Sequence, residues 1–216
     1  MMCVHCGQED CDEGFMCPKA PRGPSGHEVD IPSPQYDKGR LGACGEGSFV
    51  SANIELRRPK LTRIGKHSNV DSGLYCTTQL LIGDYVHLAP HCTVIGGKSG
   101  LFRMSHFSTL GAGSRIVCGS DARADGEGLV GPAIPAFAHA KVDSRPVIFE
   151  PLAIGTTAII VLPGVTLGMG CLIGAGSLVT ESTEPWTVYV GSPARPIRTR
   201  PRVKILELAK QLGYEW

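Results

Sequence analysis

Aliphatic residues between positions 154 and 179 return at nearly every sixth place, at Ile154, Ile160, Leu167, Ile173 and Val179. A helix would repeat them every 3.6 residues and a half-buried strand every second residue, so neither element alone accounts for the interval. Glycine follows the aliphatic residue at Ile154-Gly155, Leu167-Gly168 and Ile173-Gly174. The same pairing occurs earlier in "IGKHSNV" (64–70), "IGDYVHL" (82–88) and "LGAGSRI" (110–116), with Val94, Leu101 and Phe107 at intervening places. Such a period suits a parallel coil with three short strands to a turn. Each strand sends one aliphatic side chain inward, and each corner needs a small residue free in φ. One turn cannot bury its own apolar face, so turns must stack, at the inter-strand spacing of roughly 4.8 Å. Between Ser48 and Thr183, allowing for one interruption, there is sequence for roughly six turns.

The same pattern excludes a membrane helix. The only apolar window long enough to cross a bilayer, residues 159–179, carries Pro163 and five glycines, and in lipid the backbone would be left unsatisfied. The first 40 residues are polar and rich in Cys, Gly and Pro, without the basic and apolar blocks of a signal peptide. With 21 basic and 20 acidic residues the formal charge is +1, which asks for neither nucleic acid nor an anionic membrane as partner. A hydrophobic content of 42% supplies a core, and the expectation is a soluble, cytoplasmic protein that meets small molecules.

Three regions follow from the pattern. Residues 1–47 form a Cys-rich segment with a Pro/Gly-rich arm, 48–200 the coil, and 201–216 a short helix with Val203, Leu206, Ala209 and Leu212 about three apart. Residues 119–147 interrupt the hexads with polar, Gly/Pro-rich sequence, as a loop that builds a site would. Cys3, Cys6, Cys11 and Cys17 offer enough soft ligands for a structural zinc, or else belong to a reduced tail. Cys44, Cys76, Cys92, Cys118 and Cys171 lie singly among apolar residues and read as small buried hydrophobes.

"IGDYVHLAPHCTVIGG", "VLPGVTLGMGCLIGAGSLVT" and "PWTVYVGSPARPIR" resemble the hexapeptide-repeat acyltransferases. The likeness is to the branch that includes galactoside and maltose acetyltransferases and enzymes that decorate surface polysaccharides. The resemblance implies an all-β fold, a left-handed parallel β-helix of hexapeptide repeats with a projecting loop and a short C-terminal helix. The handedness comes from the resemblance alone, since the general rule for parallel crossovers gives the opposite hand. The resemblance also implies a homotrimer with active sites between subunits and acetyl-CoA as co-substrate. The acceptor would be a sugar hydroxyl or an amino-sugar amine, on a surface polysaccharide or a nucleotide-sugar precursor.

Transfer from a thioester needs a base near the acceptor and donors for the oxyanion. "VHLAPHCTV" puts His87 and His91 at or beside a corner, and either can serve as base. In related amino-sugar N-acetyltransferases the base lies nine residues before the place of His87, which is Thr78 here. The stretch that carries the base in the galactoside and maltose enzymes aligns with "CGSDAR". Asp121 there would orient a histidine or accept from a sugar hydroxyl, or it forms a turn with Ser120. His106 and His139 read as structural or exposed. For coenzyme A the resemblance points to the backbone of Gly155, Ala158, Gly174 and Ala175. Arg195 and Arg198, with Arg200, would meet the adenosine phosphates. No metal is assigned to the catalytic site. The competing readings are a zinc-dependent carbonic anhydrase on the same coil and a non-catalytic β-helical scaffold.

Overall fold

The computed structural model describes residues 34–120, 128–131 and 133–216. The chain winds into a parallel β-solenoid of about seven turns with one short C-terminal helix. The first face stacks Ala43–Cys44, Thr62–Ile64, Gln79–Ile82, Leu101–Met104, Val147–Phe149 and Thr166–Leu167. The second stacks Phe49–Val50, Asn69–Val70, His87–Leu88, Thr109–Leu110, Ile154–Gly155, Leu172–Ile173 and Thr187–Gly191, and ends in the antiparallel strand Ala194–Thr199. The third stacks Glu55–Leu56, Tyr75–Cys76, Thr93–Ile95, Arg115–Val117, Ile160–Val161 and Leu178–Val179. The column begins at Ala43–Cys44, upstream of Ser48, because that strand pairs with Thr62–Ile64.

The six-residue period holds, in a register one residue away from the aliphatic count at two places. From Phe149 onward the inward positions are Phe149, Gly155, Val161, Leu167, Ile173 and Val179, all buried and spaced by six without exception. Ile154 and Ile160 were expected to point inward. They face outward, because neighbours in a strand project to opposite sides and the interior is already taken by Gly155 and Val161. In the fourth turn Phe102 and Met104 fill the core where Leu101 and Phe107 were expected; Phe107 sits on a corner with φ of 60°. Phe102 and Phe149 meet edge to face at 5.3 Å, joining the turns on either side of the interruption.

Four of the five described cysteines are buried and Cys44 is partly so; burial raises the Cys118 thiol to about 12 and the Cys171 thiol to about 11. At neutral pH they are apolar packing groups. Cys3, Cys6, Cys11 and Cys17 lie outside the described residues. Between Arg115–Val117 and Val147–Phe149 the chain leaves the column through an antiparallel pair, Gly119–Ser120 with Asp143–Ser144. The C-terminal helix is Val203–Gln211; Ala209 is buried, whereas Val203 is exposed. Among the described residues no helix is long and apolar enough to cross a membrane.

Candidate active site

Strand His87–Leu88 turns Leu88 into the core and His87 out of it. The residue paired with His87 one turn earlier is Asn69, and two places on, with the same outward parity, is Asp71. His87 Nε2 lies 2.8 Å from Asp71 Oδ2, with side chains 48% and 25% exposed. A carboxylate accepts, so Nε2 carries the ring proton and Nδ1 keeps its lone pair facing partly into solvent. The carboxylate thus holds the imidazole in one tautomer, the relation that a general base needs.

His91 occupies the corner after this strand, exposed and with φ of 60°. Its N–H donates to Ser72 O at 2.9 Å, and its ring covers Gly73 (φ 76°), where a Cβ would collide with the imidazole. No described side chain pairs with that ring, so the structure orients His87 and leaves His91 unheld. Cys92, beside it in sequence, points inward with Sγ 3.3 Å from Gly111 O, and burial raises its thiol, which removes it as a nucleophile. Thr78 is buried and donates to Gln79 O at 3.0 Å, so the residue nine places before His87 is part of the fold.

The other predicted positions separate. Asp121 lies outside the described residues, and Ser120 pairs through the short strand at the base of the excursion. His139 donates from Nδ1 to Ala140 O at 2.7 Å within that excursion. His106 accepts from Asp84 N–H at 2.9 Å through Nδ1, with Asp84 Oδ2 3.3 Å away, on the corner between the first and second faces.

Of the expected donor-binding residues, Gly155 faces the core and its carbonyl accepts from Gly111 N–H at 2.7 Å. Gly174 N–H is taken by Tyr189 O at 2.8 Å. Both are used by the stack, and so is Ala158, whose N–H donates to Ala112 O at 2.9 Å; Ala158 and Ala175 are exposed on the corner between the second and third faces. That corner carries His91, Gly113, Ala158 and Gly176 at successive turns, all with positive φ. Arg195 and Arg198 are exposed on the last strand, whose hairpin is tied to this corner by Gly191 N–H donating to Ser177 Oγ at 3.0 Å. Arg200 differs from the expectation for the basic cluster: Nη1 donates to Leu152 O and Gly170 O at 3.1 and 2.9 Å, which binds three turns together beside Trp186. Among the described residues no group of three or more His, Cys, Asp or Glu is placed to hold a metal ion.

Asp71 was not singled out in the sequence. It stands 16 residues before His87, and only the length of one turn brings the two together.

No family model matches the chain. A dTDP-4-amino-4,6-dideoxy-D-glucose acyltransferase of Escherichia coli is 35% identical over 128 residues, 59% of this chain and 64% of the relative. A chloramphenicol acetyltransferase of Agrobacterium fabrum is 41% identical over 73 residues, 32% of this chain and 34% of the relative. The chain thus spans less than two thirds of the curated relatives it matches. Among solved structures, AntD, an N-acyltransferase from Bacillus cereus in complex with dTDP and 3-hydroxybutyryl-CoA, superposes with a TM-score of 0.75 at 28% identity, over 84% of this chain and 97% of that one. A variant of AntD with dTDP-4-amino-4,6-dideoxyglucose and coenzyme A gives 0.77 at the same identity, over 84% and 98%. With the hexads, the stacked turns and these likenesses together, the chain is similar to the hexapeptide-repeat acyltransferases in fold and in sequence.

Proposed function

We propose that this protein transfers an acyl group from coenzyme A to the amine of a nucleotide-linked amino sugar, with His87 as general base and Asp71 holding it. The observation that carries the reading is the 2.8 Å contact between His87 Nε2 and Asp71 Oδ2, which leaves Nδ1 free to take a proton. The acceptor amine attacks the thioester carbonyl, the C–N bond forms and the C–S bond breaks. The amine's proton passes to Nδ1 and from there to the departing thiolate, and a backbone N–H stabilises the oxyanion. The likeness to the Escherichia coli dTDP-amino-sugar acyltransferase and to AntD with coenzyme A supports both substrate classes. A donor lying along the corner from His91 to Gly176 would pass Ala158 and Ala175, whose small side chains allow backbone approach. Three turn spacings, roughly 14 Å, separate the ends of that path. Arg195 and Arg198 stand beyond it for the adenosine phosphates. The active assembly in this reading is a homotrimer.

The test is thiol release from acetyl-CoA and longer acyl-CoA esters with dTDP-4-amino-4,6-dideoxyglucose as acceptor. His87→Ala is expected to lower kcat by about 10²- to 10⁴-fold, the usual share of a general base. Asp71→Asn should lower kcat by less, with KM nearly unchanged, since it acts on the tautomer and not on binding. Full turnover in His87→Ala would remove that residue from the mechanism. Absence of thermal stabilisation by saturating acetyl-CoA would remove the transferase reading itself.

A further inference from the structure

The outer side of the first face holds two arginines that the mechanism does not use. Arg63 and Arg103 are each in register with Leu81, one turn above and one below, so their Cα atoms are two spacings apart, roughly 10 Å. Both are exposed, and neither forms an ion pair or a side-chain hydrogen bond among the described residues. They border a hollow of about 480 Å³ whose other walls include Leu81, Ser105, His106 and Glu150. His106 accepts from Asp84 N–H through Nδ1, so in the neutral ring Nε2 carries the proton and adds a donor to the same hollow. Two guanidinium forks over an apolar floor, against the one carboxylate of Glu150 on the turn next to Arg103, leave a net positive, donor-rich cleft. Guanidinium pairs of this kind match phosphate oxygens two at a time.

We propose that this hollow binds a nucleoside diphosphate, with Arg63 and Arg103 gripping its phosphates from two different turns and His106 donating from Nε2. The inference rests on the transferase reading to the extent that both partners in that reading, a nucleotide-linked sugar and coenzyme A, carry a diphosphate. Leu81 supplies an apolar floor between the two forks, and Glu150, whose charge would repel a phosphate, lies on the turn beyond Arg103, two turns from Leu81.

Calorimetric titration of the full-length protein with dTDP, with coenzyme A and with inorganic pyrophosphate tests the site. In Arg63→Gln and in Arg103→Gln the affinity for pyrophosphate and for one of the two nucleotides should fall about tenfold or more, and Arg103→Lys should recover only part of the loss. Arg115→Gln, on the third face, should change nothing. A fall confined to dTDP assigns the hollow to the acceptor, and one confined to coenzyme A assigns it to the donor in place of Arg195 and Arg198; both support the site. Unchanged binding of all three probes in the Arg63→Gln/Arg103→Gln double variant, with melting temperature unchanged, overturns it. That failure is separable from failure of the transferase reading, which thiol release from acyl-CoA reports independently.

Discussion

At position 155 the column has room for a hydrogen atom and little more. A Cβ there would run into the Ile159 side chain and come within 3.3 Å of the Phe149 ring and 3.4 Å of Leu110. Phe149 fills the fifth turn from the first face, so the second face of that turn must be small, and Ala153 and Gly155 are the residues that make it so. Gly155→Ala is therefore expected to overpack the core and destabilise the fold by about 1–3 kcal/mol, read as a lower denaturation midpoint with unchanged m-value. Ile159→Val removes the colliding methyl, and the double variant should recover part of that loss. Strict additivity of the two would show that the collision is not the cause.

The turns themselves were legible, because small corner residues recurring every sixth place leave few alternatives, but the inward register was not. "AIGTTAIIVL" offers four aliphatic residues in a row, Ile159 to Leu162, and composition cannot say which of them is the strand's inward position; the core selects Val161 over Ile160 because Phe149, Gly155 and Leu167 set the phase. The partner of His87 was hidden for a related reason, since Asp71 becomes its neighbour only through the length of a turn. The corner between the first and second faces shows what a hexad pattern conceals. His67, Tyr85 and Phe107 all adopt positive φ, of 52°, 56° and 60°, where glycine would be easiest. Their rings stack at 5.0 Å in two successive pairs, and the tail adds Tyr214 and Trp216 against them. Each left-handed non-glycine residue costs about 1–2 kcal/mol, and ring contacts of about 0.5–1.5 kcal/mol apiece offset it.

The tail is fastened by Tyr214 donating to Asp84 Oδ2 at 2.6 Å, while Lys66 N–H donates to Oδ1 at 2.8 Å. Burial alone would raise the Asp84 carboxyl, but these hydrogen bonds and the nearby His106 and Lys66 outweigh it and hold the group below its ordinary 3.8. Desolvation and the Asp84 charge raise the Tyr214 phenol from 10.0 to about 12. A depressed carboxyl stabilises above its unfolded pKa and ceases to do so as pH falls through the folded one; a raised phenol stabilises below 10 and ceases to do so on the way to 12. Quenching of Trp216 fluorescence by acrylamide should accordingly rise below pH 3.8 and again between pH 10 and 12, over the lower background of the buried Trp186. Tyr214→Phe should show the raised quenching at neutral pH. A flat profile in both proteins would mean that the tail is held by ring packing alone.

A column in which each turn touches only its neighbours passes little strain along its length, so a change at its side can alter assembly without disturbing the core. The excursion that begins at Gly119 is such a side element. Its base is braced by the bidentate Arg145–Asp143 pair at 3.0 and 2.8 Å, yet Phe137 is 93% exposed and Leu129, Val130 and Val142 are each more than half exposed. That much apolar surface gathered on one projecting segment is what an isolated subunit leaves in water and an assembled one covers. The His87–Asp71 pair is likewise left partly open to water, with side chains 48% and 25% exposed. Light scattering should therefore return three times the 22.9 kDa chain mass, in line with the homotrimer we propose. Phe137→Ser should shift that mass toward a single chain and lower turnover together with it, while the far-ultraviolet spectrum of the column stays the same. A wild-type protein that is monomeric at micromolar concentration yet fully active would show that one column completes the site alone.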